Sequence, residues 1–248
     1  MLNKESWLMT TPIAHRGLHN ENFPENSIGA FANAKRHGYA IELDVQLSAD
    51  NHIIVFHDFD TFRMTGEKGE IGKLNLSQIK SRYLLDSNFK IPTLNEVFNE
   101  IDSEIPILIE IKNHGKVGNL EKLLCFAVNQ YQGPCAVESF NPFTLKIIKE
   151  NCPNILRGQL SQKFKSEKLN IIKKIVLKNL WLNKVSSPHF ISYGIDDLPN
   201  KNVAYLRDKG TGVIGWTITD EASYIKAKKY CDNIIFENIS LDHESAGE

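Results

Sequence analysis

Residues 39–58 read YAIELDVQLSADNHIIVFHD. Two strand-like runs, Tyr39–Leu47 and His52–His57, flank the short polar segment Ser48-Ala49-Asp50-Asn51. A parallel crossover needs about a dozen residues, so runs joined this closely cannot be adjacent parallel strands. They are expected to fold back as a hairpin, with Leu47 facing His52 and Glu42 facing His57, to within one or two residues of register. The first run alternates and carries Glu42 and Asp44 two residues apart. Such residues share one face of a strand. A carboxylate is costly to bury unpaired, so this pair calls for a shared cation. The hairpin would set His57 beside it, and His15, at the end of the run Thr11–His15, lies upstream. Histidine is the side chain best suited to proton transfer near neutral pH. The segment therefore reads as part of a metal-assisted acid–base enzyme.

Outward from this segment, strands alternate with helices. Strand-like runs are Ile105–Lys112, Pro134–Phe140, Ile155–Leu160, Phe190–Tyr193, Val213–Thr219 and Asn233–Glu237. Helical spacing occurs at Ser27–Arg36, Asn119–Tyr131, Pro142–Cys152, Lys168–Trp181, Lys201–Lys209 and Asp220–Tyr230, with Ser27 and Asp220 as caps. Repeated strand–helix units mean a parallel sheet. Nine strand-like runs are one more than an eight-stranded α/β barrel needs, and the hairpin accounts for the excess. The expectation is a TIM (β/α)8 barrel forming a single domain over residues 1–248. Residues 58–104 break the rhythm and are too long for a bare loop. They read as a small inserted subdomain over one end of the barrel, with a short helix near Leu76–Tyr83 and with Ile91-Pro92-Thr93-Leu94 opening a helix through Glu100.

Composition narrows the function. The chain has 248 residues, 42% of them hydrophobic, and a formal net charge of −1. No long basic stripe is present, which argues against nucleic acid. The lysine-rich run Lys163–Lys178 alternates with Ile, Leu and Val and reads as the solvated face of an amphipathic helix. Cys125, Cys135, Cys152 and Cys231 have no C-x-x-C spacing and are expected to be reduced, buried thiols. The start of the chain does not resemble a signal peptide, and no run is long enough for a membrane span, so a cytoplasmic protein without stable membrane insertion is expected. The tail after Asp242 is expected to fray.

Charge recurs on a later strand. In Ile109-Glu110-Ile111-Lys112, Glu110 and Lys112 share a face. A buried Glu–Lys pair would explain them alone. Together with Glu42 and Asp44, three carboxylates converge at the carboxyl ends of strands, where barrel active sites are built. All-oxygen donors favour Mg²⁺ or Ca²⁺ over zinc.

Read in order, His15-Arg16-Gly17, Pro24-Glu25-Asn26-Ser27, Glu42-Leu43-Asp44-Val45-Gln46, Asp50, His57-Asp58 followed by Arg63, Ile91-Pro92-Thr93-Leu94, Glu110-Ile111-Lys112, Ser139-Phe140-Asn141 and Trp216-Thr217 cover nearly the whole chain. This series resembles the glycerophosphodiester phosphodiesterase family, related to the barrel of phosphatidylinositol-specific phospholipase C. The resemblance implies metal-dependent hydrolysis of glycerophosphodiesters to sn-glycerol 3-phosphate and an alcohol. It matches Glu42, Asp44 and Glu110 to metal ligands for a divalent cation, and His15 and His57 to the general acid and base. Arg16 and Lys112 match cations that hold the phosphate, and Trp216 a wall of the pocket, although a core tryptophan fits that residue as well. It also implies an insertion after the second histidine. By analogy with the phospholipase, the glycerol 2-hydroxyl would attack phosphorus and form a cyclic phosphate that water later opens.

Three acids stand lower. Glu25, with Asn26, lies beside the site in the family, yet helix capping explains both locally. Glu138 is a fourth acid near the metal or a partner of Lys112. Glu237 stands where relatives commonly carry Asp, in a supporting role. His19, His37, His52, His114, His189 and His243 are expected on the surface or in loops. Other readings are a phospholipase-like enzyme on lysophospholipids, with an apolar mouth supplied by the insertion or by Trp7-Leu8-Met9, a phosphodiester-binding barrel without catalysis, and a metal-dependent sugar isomerase. Arg16 and Lys112 fit phosphate better than the last.

Overall fold

The structure, a computed structural model, describes residues 2–113, 116–165 and 169–241. His114, His243, Lys168 and the tail from Asp242 lie outside the described residues. Nine strands form one sheet: β1 (Ile13–Ala14), β2 (Ala40–Leu47), β3 (Ile53–Val55), β4 (Ile107–Ile111), β5 (Cys135–Ser139), β6 (Leu156–Ser161), β7 (Phe190–Gly194), β8 (Gly212–Ile218) and β9 (Asn233–Phe236). Eight of them are parallel and close into a barrel. β1 pairs with β2 on one side and with β9 on the other. β3 alone is antiparallel and pairs with β2. This is a TIM barrel with one added hairpin strand.

The hairpin exists, but its register is one residue from the expected one. Leu47 faces Ile53, and Val45 faces Val55. The cause is the turn. Ser48 N–H donates to the His52 carbonyl, and Ser48 Oγ accepts from His52 N–H while donating to Asp50. His52 is thereby absorbed into the loop, and Asn51 takes a left-handed φ of 65°.

Most helices match the spacing. Ser27 caps Ile28–Arg36 by accepting from Ala30 N–H, and Asp220 caps Glu221–Tyr230. The lysine-rich helix is shorter than its pattern suggests, covering Ile171–Lys178, with a separate turn at Asn183–Ser186. Alternation along the strands sorts the core into layers. Outward-facing Ile41, Leu43, Val45, Ile107, Ile109 and Val137 pack beneath the helices with Phe31, Leu124 and Ile148. Inward-facing Ile13, Ala40, Leu108, Ala136, Phe190, Ile214 and Ile235 form a second apolar cluster at the amino ends of the strands. Gly158 makes room there: a Cβ on it would come within 2.1 Å of the Phe190 ring.

Leu8 is buried in this lower cluster, and Trp7 and Met9 pack against it. The segment Trp7-Leu8-Met9 therefore stoppers the amino end of the barrel and cannot furnish an apolar mouth at the other end. Between β3 and the helix Leu94–Ile101, short helices at Phe62–Thr65 and Leu76–Lys80 surround a core of their own, with Ile54, Phe56, Met64, Ile71, Ile79, Leu84 and Ile91. The four cysteines are free; Cys135 is only partly buried. Among the described residues, no helix is long and apolar enough to cross a membrane.

Candidate active site

Two residues beyond the apolar cluster, the inward row changes character. His15 follows Ile13, Glu42 follows Ala40, Glu110 follows Leu108, Glu138 follows Ala136 and Glu237 follows Ile235. These residues gather at the carboxyl ends of the strands. One carboxylate oxygen from each of Glu42, Asp44 and Glu110 lies within 4.8 Å of the others. Register explains the meeting, because β2 and β4 pair Asp44 directly with Glu110.

The acids are crowded and poorly neutralised. Burial, then repulsion from Asp44, Glu110 and Glu138, pushes the Glu42 carboxyl well above its usual range. Burial pushes Glu110 up to about 7, against the pull of Lys112. Burial alone would raise Asp44 too, but Lys112, His57, Arg16 and the Asn26 amide together hold it below the usual carboxylate range. Lys112 Nζ stands 3.5 Å from Asp44 Oδ1 and 3.4 Å from Glu110 Oε1. Asp44 Oδ1 is buried with no hydrogen bond. Three convergent carboxylates, one with an unsatisfied buried oxygen, fit a hard divalent cation.

Arg16 enters through an uncommon backbone. Arg16 and Gly17 both adopt left-handed φ, at 54° and 80°. A Cβ on Gly17 would come within 2.9 Å of Ala30 and Phe31, so the turn suits glycine. This bend points Arg16 N–H at Glu42 Oε2 (2.9 Å) and sets the guanidinium 3.4 Å from Asp44.

Both histidines are oriented by acids. His15 Nδ1 lies 2.6 Å from Glu237 Oε2, and His57 Nδ1 lies 2.6 Å from Asp58 Oδ1. An ionised carboxylate only accepts hydrogen bonds. Nδ1 must therefore carry the proton in each ring, leaving Nε2 free for chemistry. Burial lowers the His57 pKa, with Lys112 and Arg16 adding to the effect against Asp44. Its loop is pinned by Gln46, whose Nε2 donates to the carbonyls of Phe56, His57 and Asp58.

Glu25 and Asn26 do not cap the helix; Ser27 does. Glu25 instead bridges Arg16 and Arg63, and Arg63 also holds Asp58. Asn26 Nδ2 donates to Asp44 Oδ2 at 2.9 Å. Glu138 does not pair with Lys112. It accepts from Ser192 Oγ, and burial pushes it up to about 8. Trp216 is partly exposed and packs edge-on to Phe140 at 5.6 Å and against the apolar cluster below.

His19 lies in a loop, as expected, but it has a partner there. Its Nε2 lies 3.3 Å from the same Glu237 oxygen that holds His15. The two shared hydrogen bonds, ahead of the opposing effect of burial, draw the Glu237 carboxyl far below its usual range. No local signal marks this link: His15 and His19 lie in a non-helical segment, and what joins them is Glu237 at the far end of the chain. Asp58 and Asn26 were likewise legible only as parts of motifs, not as partners of His57 and Asp44.

Comparison with known proteins gives the family of the chain. Residues 15–241 match the glycerophosphoryl diester phosphodiesterase family. A glycerophosphodiester phosphodiesterase of Caldanaerobacter subterraneus subsp. tengcongensis is 38% identical over 170 residues, covering 62% of this chain and 68% of its own length. Among solved structures, a phosphodiesterase of Oleispira antarctica in complex with the product sn-glycerol 3-phosphate superposes with a TM-score of 0.76, at 25% identity and 92% coverage of both chains. A glycerophosphodiester phosphodiesterase of Thermotoga maritima does so with 0.71, at 26% identity, over 91% of this chain and 93% of the other.

Proposed function

The chain belongs to the glycerophosphoryl diester phosphodiesterase family and is a hydrolase of glycerophosphodiesters, and from this premise we propose that it works with a divalent cation and two histidines, releasing sn-glycerol 3-phosphate and an alcohol. The observation that carries the metal is the cluster of Glu42, Asp44 and Glu110, in which Asp44 Oδ1 is buried without a hydrogen bond, 3.5 Å from Lys112. These three would hold Mg²⁺ or Ca²⁺, which when bound supplies Lewis-acid stabilisation of the charge that grows on phosphate oxygens. Arg16 and Lys112 add positive charge from the protein and orient the phosphate. Trp216 walls the pocket.

His57 serves as base, because burial favours its neutral form. Its Nε2 takes the proton from the glycerol 2-hydroxyl as that oxygen bonds to phosphorus. The bond from phosphorus to the leaving alcohol breaks, and His15, entering the step as imidazolium with its Nδ1–H held by Glu237, gives that oxygen its Nε2 proton and becomes neutral. The cyclic phosphate is then opened by water with the two roles reversed. Asp58 and Glu237 fix the rings, while Glu25 and Arg63 tie Asp58 to Arg16. Glu138, beside Glu110 on the next strand, lends support as a neutral acid.

Turnover of glycerophosphocholine by the full chain tests this reading. Replacing His57 or His15 by Ala should lower kcat by about 10² to 10⁴-fold. A chelator should abolish turnover, with Mg²⁺ or Ca²⁺ restoring it. Near-wild-type rates in either histidine variant would refute the assignment.

A further inference from the structure

The helix Ile171–Lys178 is unlike the other long helices around the barrel. None of its residues is buried, whereas Asn119–Gln130 buries Leu120, Leu124 and Cys125, and Pro142–Asn151 buries Leu145 and Ile148. Ile171 and Ile172 are 75% and 73% exposed, and Ile175 is exposed as well. Contiguous apolar side chains left in water mark an interaction surface, where single ones do not.

Two further observations say what covers this surface. The first is charge. From Gln162 to Trp181 the sequence holds six lysines and a single glutamate, in a chain whose net charge is −1. Lys163 and Lys165 stand near Asp197, but Lys173 and Lys174 pair with no carboxylate among the described residues. An apolar ridge set among lysines complements an anionic lipid surface, with the apolar groups entering the headgroup boundary and the ammonium groups meeting lipid phosphates. A protein partner would need acidic groups placed to match; a bilayer needs none.

The second is position. The helix starts on the carboxyl side of β6, at the active-site end of the barrel. Its approach loop reaches the pocket wall, since Phe164 packs edge-on to Phe140, which packs on Trp216. Phe62 and Phe143, 54% and 52% exposed, stand at the same end. We propose that this end of the barrel docks on an anionic bilayer through Ile171 and Ile172, flanked by Lys173 and Lys174, and so faces its site toward phosphodiesters at the lipid surface. The choice of substrate rests on the phosphodiesterase reading; the docking does not.

Co-sedimentation of the full chain with vesicles tests it. Vesicles of equimolar phosphatidylglycerol and phosphatidylcholine should retain the protein, and pure phosphatidylcholine should retain about tenfold less or lower still. Added salt should weaken retention. The double variant Ile171→Glu, Ile172→Glu should lose about tenfold or more in partitioning. Lys173→Glu with Lys174→Glu should lose about fivefold for each lysine removed. All these side chains are outside the site, so hydrolysis of soluble glycerophosphocholine should be unchanged, which also reports correct folding. Equal retention on neutral vesicles, no retention, or a wild-type dimer that Ile171→Glu dissociates would overturn the proposal. Docking without soluble hydrolysis would instead refute the phosphodiesterase mechanism and leave docking standing.

Discussion

The two ends of this barrel are built from the same strands and obey opposite rules. At the amino end, Ile13, Ala40, Leu108, Ala136, Phe190 and Ile235 fill the interior. Two positions further along, His15, Glu42, Glu110, Glu138 and Glu237 occupy the same inward row. The lower layer stabilises the fold by burial. The upper layer opposes it: burial and the nearby Asp44 raise the pKa values of both Glu42 and Glu110. One half of the barrel supplies the stability that the other half spends.

The comparison can be broken most directly by replacing one acid. Glu42→Gln should lower turnover by about 10³-fold or more, several kcal/mol of lost electrostatic stabilisation. In metal-free protein it should raise Tm, because a glutamine is buried neutral without the proton uptake that the raised Glu42 pKa demands. A fall in Tm would mean that the upper layer is stabilising after all.

Phe190→Ala tests the other end. Emptying this buried ring should cost about 3–5 kcal/mol in chemical denaturation, through lost transfer energy and a cavity beneath the acids. The kcat of the folded fraction should stay within about threefold of wild type, well short of the loss from a missing charge. A large loss of kcat would show that the two layers are coupled.

The smallest effect is expected from pH. Glu110 and Glu138, raised to about 7 and about 8, bind protons in the folded chain that the unfolded chain releases at ordinary carboxylate pKa values. Stability from these groups is complete below their unfolded values and declines as pH rises from about 5 to about 8. Asp44 and Glu237 are shifted the other way, so their contribution is present above their unfolded pKa values and lost only in acid. Metal-free Tm should therefore fall by several degrees between about pH 5 and pH 8, and excess Mg²⁺ should flatten that slope. A Tm that rises over this window would contradict the crowding of the acids.

Much of this was legible in the sequence, for a physical reason. Strands buried on both faces are expected to be apolar, so Glu42, Asp44, Glu110 and Lys112 announce themselves as exceptions. Caps such as Ser27 and Asp220 are local and equally plain. What stayed hidden depends on three-dimensional neighbours. The one-residue shift of β3 comes from side-chain hydrogen bonds in the Ser48–His52 turn. The link from His19 to Glu237 spans 218 residues. The exposure of Ile171 and Ile172 reflects how a helix sits on the barrel, since its spacing alone would suit a buried face.

Gln46 carries a consequence for how such an enzyme can change. Its single amide grips three successive carbonyls, from Phe56 to Asp58. The position of His57 is therefore fixed by β2 and its tight turn, before the chain enters the small subdomain. That subdomain has its own apolar core, grouped around Ile71 and Ile79. Its length and outer surface can drift, lengthen or be exchanged while the proton-transfer geometry is inherited unchanged. Arg63 is the main ionic tether that such an exchange would have to keep.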